Sequence, residues 1–159
     1  MHRPARLRPV NVLVLVLVLS GAAPFAACDT DGPPATPIDG HPTTLAGTSW
    51  IVAAIDGVRV TIGNGPTIAF DGQKAQGSGG CNQIGGSYRY DPQTGELRFD
   101  GLGMTAMACA EPERNAVETR FIQALGRTPL VARIEPDGHL ALAGPAGGLD
   151  LAPASTDGG

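Results

Sequence analysis

Sulfur is the element in this chain best equipped to do chemistry. Cys28, Cys81 and Cys109 are its three cysteines, and a thiol can serve as nucleophile, metal ligand, redox centre or half of a disulfide. A redox-active pair would need a thiol of lowered pKa and usually a Cys-x-x-Cys spacing, and neither is visible. A zinc site would need two more ligands beside Cys81 and Cys109. His41 falls in a proline-rich stretch and His139 in a late hairpin, so no metal and no cofactor are expected. The run Gly77-Ser78-Gly79-Gly80 invites comparison with phosphate-binding loops, but no Lys-Ser or Lys-Thr follows it and it flanks strands. Glycines needed for bulges, or for close backbone approach beside Cys81, explain it better. Asn82 reads as an amide bonding local backbone at a turn. Glu111 and Glu113 could act as acid and base, yet the solvated first turn of a helix accounts for both. Gly-x-Ser-x-Gly and His-Glu-x-x-His do not occur, and no histidine neighbours a candidate serine nucleophile. The chain reads as a non-enzyme.

The compartment decides what the cysteines do. Residues 1–27 run from a basic stretch with Arg3, Arg6 and Arg8, through the apolar residues 12–19, to the small residues 20–27, which is the layout of a secretory signal. The apolar run falls well short of the roughly 20 residues a bilayer-spanning helix needs. Phe25-Ala26-Ala27-Cys28 resembles a bacterial lipobox, with Phe25 where Leu is more usual. The resemblance implies that Cys28 carries a thioether-linked lipid and becomes the new N-terminus; plain secretion is the alternative. Each buried methylene contributes about 0.8 kcal/mol, so two or three acyl chains make a lasting attachment to a membrane of the bacterial envelope, outside the cytoplasm. Residues 28–42 have almost nothing to bury and are rich in proline, which suits an extended tether with a rise of about 3.1 Å per residue. With Cys28 lipidated, Cys81 and Cys109 remain as an even pair in an oxidising compartment, and a disulfide is the simplest outcome. Closing that loop stabilises the fold by about 3–4 kcal/mol in the chain-entropy model. After signal removal 8 basic residues face 15 acidic ones, a net charge of −7, which argues against a nucleic-acid partner.

The remaining 132 residues suit one domain, and 23 Gly with 14 Pro imply many turns and few long helices. Strands flank Asp56-Gly57, with Val58, Val60 and Ile62 sharing one face. Thr67-Ile68-Ala69-Phe70 turns at Asp71-Gly72 into a polar partner strand. Tyr88 and Tyr90 alternate in a third short strand, and a turn at residues 91–95 leads to a strand with Leu97 and Phe99 facing together. A helix opens at Pro112 and ends near Gly126. Val117, Phe121, Ala124 and Leu125 form its apolar stripe, with Glu118 and Arg120 pointing elsewhere. Leu130 to Ile134 and Leu140 to Leu142 make a last hairpin, Leu149 and Leu151 an added edge strand, and residues 154–159 a disordered tail.

Leu45-Ala46-Gly47-Thr48-Ser49-Trp50, the glycines running into Cys81-Asn82, then Met104-Thr105-Ala106-Met107-Ala108-Cys109, then residues 121–125 stand in an order that resembles the META (HslJ-like) domain family. The resemblance covers residues 43–153. It implies a mainly β, α+β fold: a curved antiparallel sheet or small barrel with one packed α-helix, and Trp50 as a core residue of the first strand. It implies no established catalytic site, and links to stress response and antibiotic tolerance. The expected function is that of a monomeric, non-catalytic, envelope-anchored module that binds a protein partner or supports envelope integrity under stress. Gly79, Gly80, Asn82, Met104, Thr105 and Met107 form its candidate binding surface. Two alternatives stay open: an inhibitor of an extracytoplasmic protease or lysozyme, plugging a cleft with the loop around Cys81 or with residues 104–109, and a small-ligand carrier using the interior of the sheet.

Overall fold

A computed structural model describes residues 40–154. The signal, Cys28, the tether up to residue 39 and residues 155–159 lie outside the described residues. The elements are β1 (Thr48–Ile55), β2 (Val58–Arg59), β3 (Thr67–Asp71), β4 (Lys74–Ser78), β5 (Gln83–Tyr90), β6 (Glu96–Met104), α1 (Pro112–Leu125), β7 (Leu130–Ile134), β8 (Leu140–Gly144) and β9 (Gly147–Pro153). Every strand pairs antiparallel with its neighbour in the order β2-β1-β3-β4-β5-β6-β7-β8-β9, and β9 returns to pair with β1. With β2 a short flap on β1, the other eight strands close into a barrel with one helix. Among the described residues no helix is long and apolar enough to cross a membrane.

Closure follows from alternation. Trp50, Val52 and Ile55 of β1, Ile68 and Phe70 of β3, Leu140 and Leu142 of β8, and Leu149 and Leu151 of β9 are all buried. A sheet with one continuous apolar face removes both that face and its edges from water by curling on itself. Phe70 meets Tyr88 edge-on, with ring centroids 5.0 Å apart, and each large side chain fully buried here contributes about 1.5–3 kcal/mol. The β1–β2 turn has φ of 50° at Asp56 and 76° at Gly57, the left-handed pair that a two-residue hairpin requires.

Several expectations are corrected. The second strand stops at Arg59: Val58 is exposed, while Val60 and Ile62 lie partly buried against the core. The Tyr88 strand begins at Gln83, because Gly85 and Gly86 carry no side chains to show alternation. The last strand is no edge, since β8 and β1 flank it. Ala154, assigned to the tail, donates its N–H to Ser49 O at 2.9 Å. His41 and Pro42, assigned to the tether, are buried: His41 Nδ1 lies 3.0 Å from Ala132 O, and the Tyr90 hydroxyl donates to Pro42 O at 2.6 Å. Burial pushes the Tyr90 phenol up to about 12, so it stays protonated and keeps donating.

In α1, Pro112 stands in the first turn with Glu113. Glu111 makes no capping bond and pairs instead with Arg114 Nε at 2.6 Å. Val117, Phe121, Ala124 and Leu125 are buried as the stripe predicts. Glu118 does not point elsewhere: it is 2% exposed. Arg120 also turns inward, donating to Ile55 O at 3.0 Å.

Candidate functional site

Glu118 marks the site. In α1 it falls three residues before Phe121 and seven before Leu125, so helical spacing places it on the buried stripe. A lone carboxylate there must be met by donors, and the turn between β4 and β5 supplies them. Gly79 N–H donates to Asn82 O at 2.7 Å, closing the turn. The Cys81 and Asn82 N–H groups then donate to Glu118 Oε2 at 3.1 and 2.6 Å, and Asn82 Nδ2 donates to Oε1 at 2.6 Å. Glycine is required beneath them, because a Cβ on Gly79 would lie 2.6 Å from Glu118 Cγ. Burial by itself pushes the Glu118 carboxyl up, but the Asn82 amide and the two backbone N–H groups outweigh it and hold it below the ordinary carboxylate value.

The other edge of Asn82 grips a distant segment. Its Oδ1 accepts from Met107 N–H at 2.7 Å and from the Thr105 hydroxyl at 2.9 Å, and its Nδ2 also donates to Met107 O at 3.2 Å. Asn82 therefore bonds backbone 25 residues away, where a local turn bond was expected. Thr105 N–H donates to Gln83 O at 3.0 Å. A disulfide joins Cys81 to Cys109, with Cα atoms 5.8 Å apart. Residues 104–109 are thus pinned near both ends and in the middle. Among the described residues no buried side-chain nitrogen or oxygen lacks a partner, as a buried polar network must achieve to be stabilising.

Of the predicted surface residues, Gly79 and Asn82 prove to be buried and Gly80 half-buried, while Met104, Thr105 and Met107 are exposed. The first group holds the second in place. Between α1 and residues 104–109 lies an open groove of about 460 Å³, to which Met104, Met107 and Ile122 contribute apolar surface and Thr119 and Gln123 polar groups. Met104 is 52% and Met107 57% exposed. The sulfurs of Cys81 and Cys109 and a Glu118 oxygen lie within 4.8 Å of one another, a set that could hold a metal. In the disulfide neither sulfur is a thiolate, and the carboxylate already accepts three N–H bonds, so this set has no free ligand to offer.

A second groove, of about 860 Å³, runs over β1, β8 and β9 and is lined by Asp56, Arg59, His139 and Asp150 above alanines and glycines. His139 Nδ1 lies 2.6 Å from Asp150 Oδ1. That hydrogen bond, with the nearby charges of Asp150 and Asp137, raises the imidazole pKa above its ordinary value. Sequence reasoning missed this pair, although the register setting Ala141 opposite Asp150 brings the two together. No Ser, Thr or Cys lines the groove, so no side-chain hydroxyl or thiol stands beside the pair.

Similarity to solved structures agrees with this architecture. A protein solved by NMR is 27% identical, over 72% of this chain and 95% of its own, with a TM-score of 0.58. A second NMR structure, from Burkholderia xenovorans, is 24% identical, over 87% and 99%, with a TM-score of 0.57. A crystal structure of a duf4847 family protein from Bacteroides vulgatus shares the fold at 16% identity and a TM-score of 0.50, covering 71% of this chain and 96% of its own. No curated protein matches the chain. Residues 43–154, which hold the barrel and α1, match the META domain, and the chain belongs to the META domain family.

Proposed function

We propose that this chain is a non-catalytic, lipid-anchored binding module of the bacterial envelope, with Met104, Thr105 and Met107 beside the α1 groove as its contact surface for a protein partner. The supporting observation is the pairing of two exposed methionines with a segment that Asn82 and a disulfide already hold still. Ordering an interface costs about 0.5–1.5 kcal/mol per side chain immobilised, and a segment fixed in advance avoids much of that cost. Methionine adapts its shape to apolar partners. Anchoring rests on the lipobox-like Cys28 and its preceding signal pattern, and a role in envelope integrity under stress rests on the family.

The same rigid segment favours a second reading, insertion into the cleft of an extracytoplasmic protease or lysozyme. The carrier reading finds less support, because Ile55, Phe70, Leu97 and Leu142 occupy the barrel interior at no more than 1% exposure. Crosslinking from a photoreactive residue at position 123, which lines the same groove and leaves both methionines in place, tests the first reading in intact cells. A defined partner should be captured there and not from position 59, and Met104→Ser with Met107→Ser should abolish capture. Equal capture from both positions rejects the surface. Stoichiometric loss of protease or lysozyme activity on adding the protein would select the inhibitor. Mass spectrometry of the mature polypeptide should find diacylglycerol on Cys28; an unmodified start rejects anchoring.

A further inference from the structure

We propose that Met104 and Met107 are a paired oxidation site, where peroxide converts both thioethers to sulfoxides and turns the groove from apolar to polar without loosening the fold. The consequence for binding rests on the reading above; the modification itself does not.

Four sulfurs fall among the described residues, and they differ in what an oxidant can take from them. Cys81 and Cys109 are already joined, so neither presents a thiolate, the form that peroxide oxidises. Met104 and Met107 are two of the four large apolar side chains that stand exposed, while Trp50 and Tyr88 are only 8% and 5% exposed. The thioethers are therefore the accessible two-electron reductants of this surface. In the reaction a sulfur lone pair attacks one peroxide oxygen, an S–O bond forms as the O–O bond breaks, the sulfur loses two electrons, and the other oxygen leaves as water by taking up the proton of the sulfur-bound hydroxyl.

The fold separates the reactive side chain from the contacts that hold it. Asn82 grips Met107 only through the backbone, accepting from its N–H and donating to its C=O. Buried methionines disrupt packing when they become polar. Here the new S=O dipoles meet solvent, and the clamp on the backbone stays intact. Both side chains line the groove with Ile122 and Ala106, so two sulfoxides would give an apolar contact surface a polar, hydrated character. Exposure also leaves both residues open to the reductases that reverse each sulfoxide epimer.

The test treats the full-length protein with hydrogen peroxide and follows both residues by peptide mass spectrometry. Both should oxidise at rates within about threefold of those in the guanidinium-unfolded chain, with the near-ultraviolet circular dichroism unchanged. Crosslinked capture from position 123 should fall by about tenfold, and a Met104→Leu, Met107→Leu variant should keep its capture after the same treatment. Protection of either residue by more than about tenfold overturns the proposal, as does loss of the near-ultraviolet signal on oxidation. Capture that survives complete sulfoxidation overturns the switch. If the untreated protein captures nothing, the binding reading fails, and the modification is judged on its rates and the retained fold alone.

Discussion

Replacing Glu118 with Gln keeps the shape of the side chain and removes its charge and one of its two acceptors. In the native clamp Oε2 takes the Cys81 and Asn82 N–H groups and Oε1 takes Asn82 Nδ2. If the Gln oxygen stays over the two backbone donors, its amide nitrogen faces Asn82 Nδ2, donor against donor. Turning Asn82 over only moves the conflict, because its nitrogen would then meet Met107 N–H and its oxygen Met107 O. Either arrangement leaves a buried donor unpaired, at about 1–3 kcal/mol, and strips charge assistance from the surviving bonds, for a total of about 3 kcal/mol. In a domain of this size that lowers the melting temperature by about 12 °C. Urea unfolding followed by Trp50 fluorescence measures the loss, with an unchanged slope confirming that the native state is otherwise the same. The pH dependence supplies a second readout. Because the folded carboxyl lies below its ordinary value of 4.5, its contribution is complete above 4.5 and disappears as pH falls through the folded pKa. The gap between native and variant proteins should therefore narrow in acid. A loss under about 1 kcal/mol at neutral pH, or a gap that stays constant in acid, refutes the clamp.

Cys81→Ala with Cys109→Ala should cost about 3–4 kcal/mol in the chain-entropy model, given a separation of 28 residues; a melting temperature unaffected by the double change or by reductant contradicts this. Gly77→Ala should destabilise by about 2–3 kcal/mol, since its Cβ would meet the Thr67 carbonyl and lie 2.9 Å from Ile68 Cα. Gly103→Ala, whose nearest contact is 3.9 Å away, serves as the tolerated control in the same unfolding assay. Asp150→Asn should bring the His139 pKa down toward its ordinary 6.5 in an NMR titration. In the native protein the raised pKa means that this pair stabilises below 6.5 and loses its effect as pH rises through the folded value; an unmoved titration excludes the pair as the cause.

Local signals were readable where backbone chemistry is local. Asp56-Gly57 and Asp71-Gly72 announce turns because few other residues take those conformations, and the α1 stripe announces a helix packed on a sheet. The closure of β9 on β1 was not readable, since strand partnership between the two ends of a domain leaves no mark in either strand. Glu118 was misjudged for a different reason. A carboxylate on a buried stripe contradicts the binary pattern, and its donors lie 36 and 37 residues away. Asn82 was recognised as a hydrogen-bonding residue, but its partners on Met107 come from tertiary proximity and not from the turn it sits in. The disulfide was legible from the cysteine count and the compartment that the signal-like segment leads one to expect, which require no geometry.

The burial of His41 and Pro42 bears on how the domain carries load. A pull applied at Gly40 from the N-terminal side first meets the Tyr90 hydroxyl on β5 and the Ala132 carbonyl on β7, before it reaches β1. Tension is thereby split between two interior staves of the barrel. The seam formed by β1 and β9, whose parting would unzip the ring, is spared the first strain.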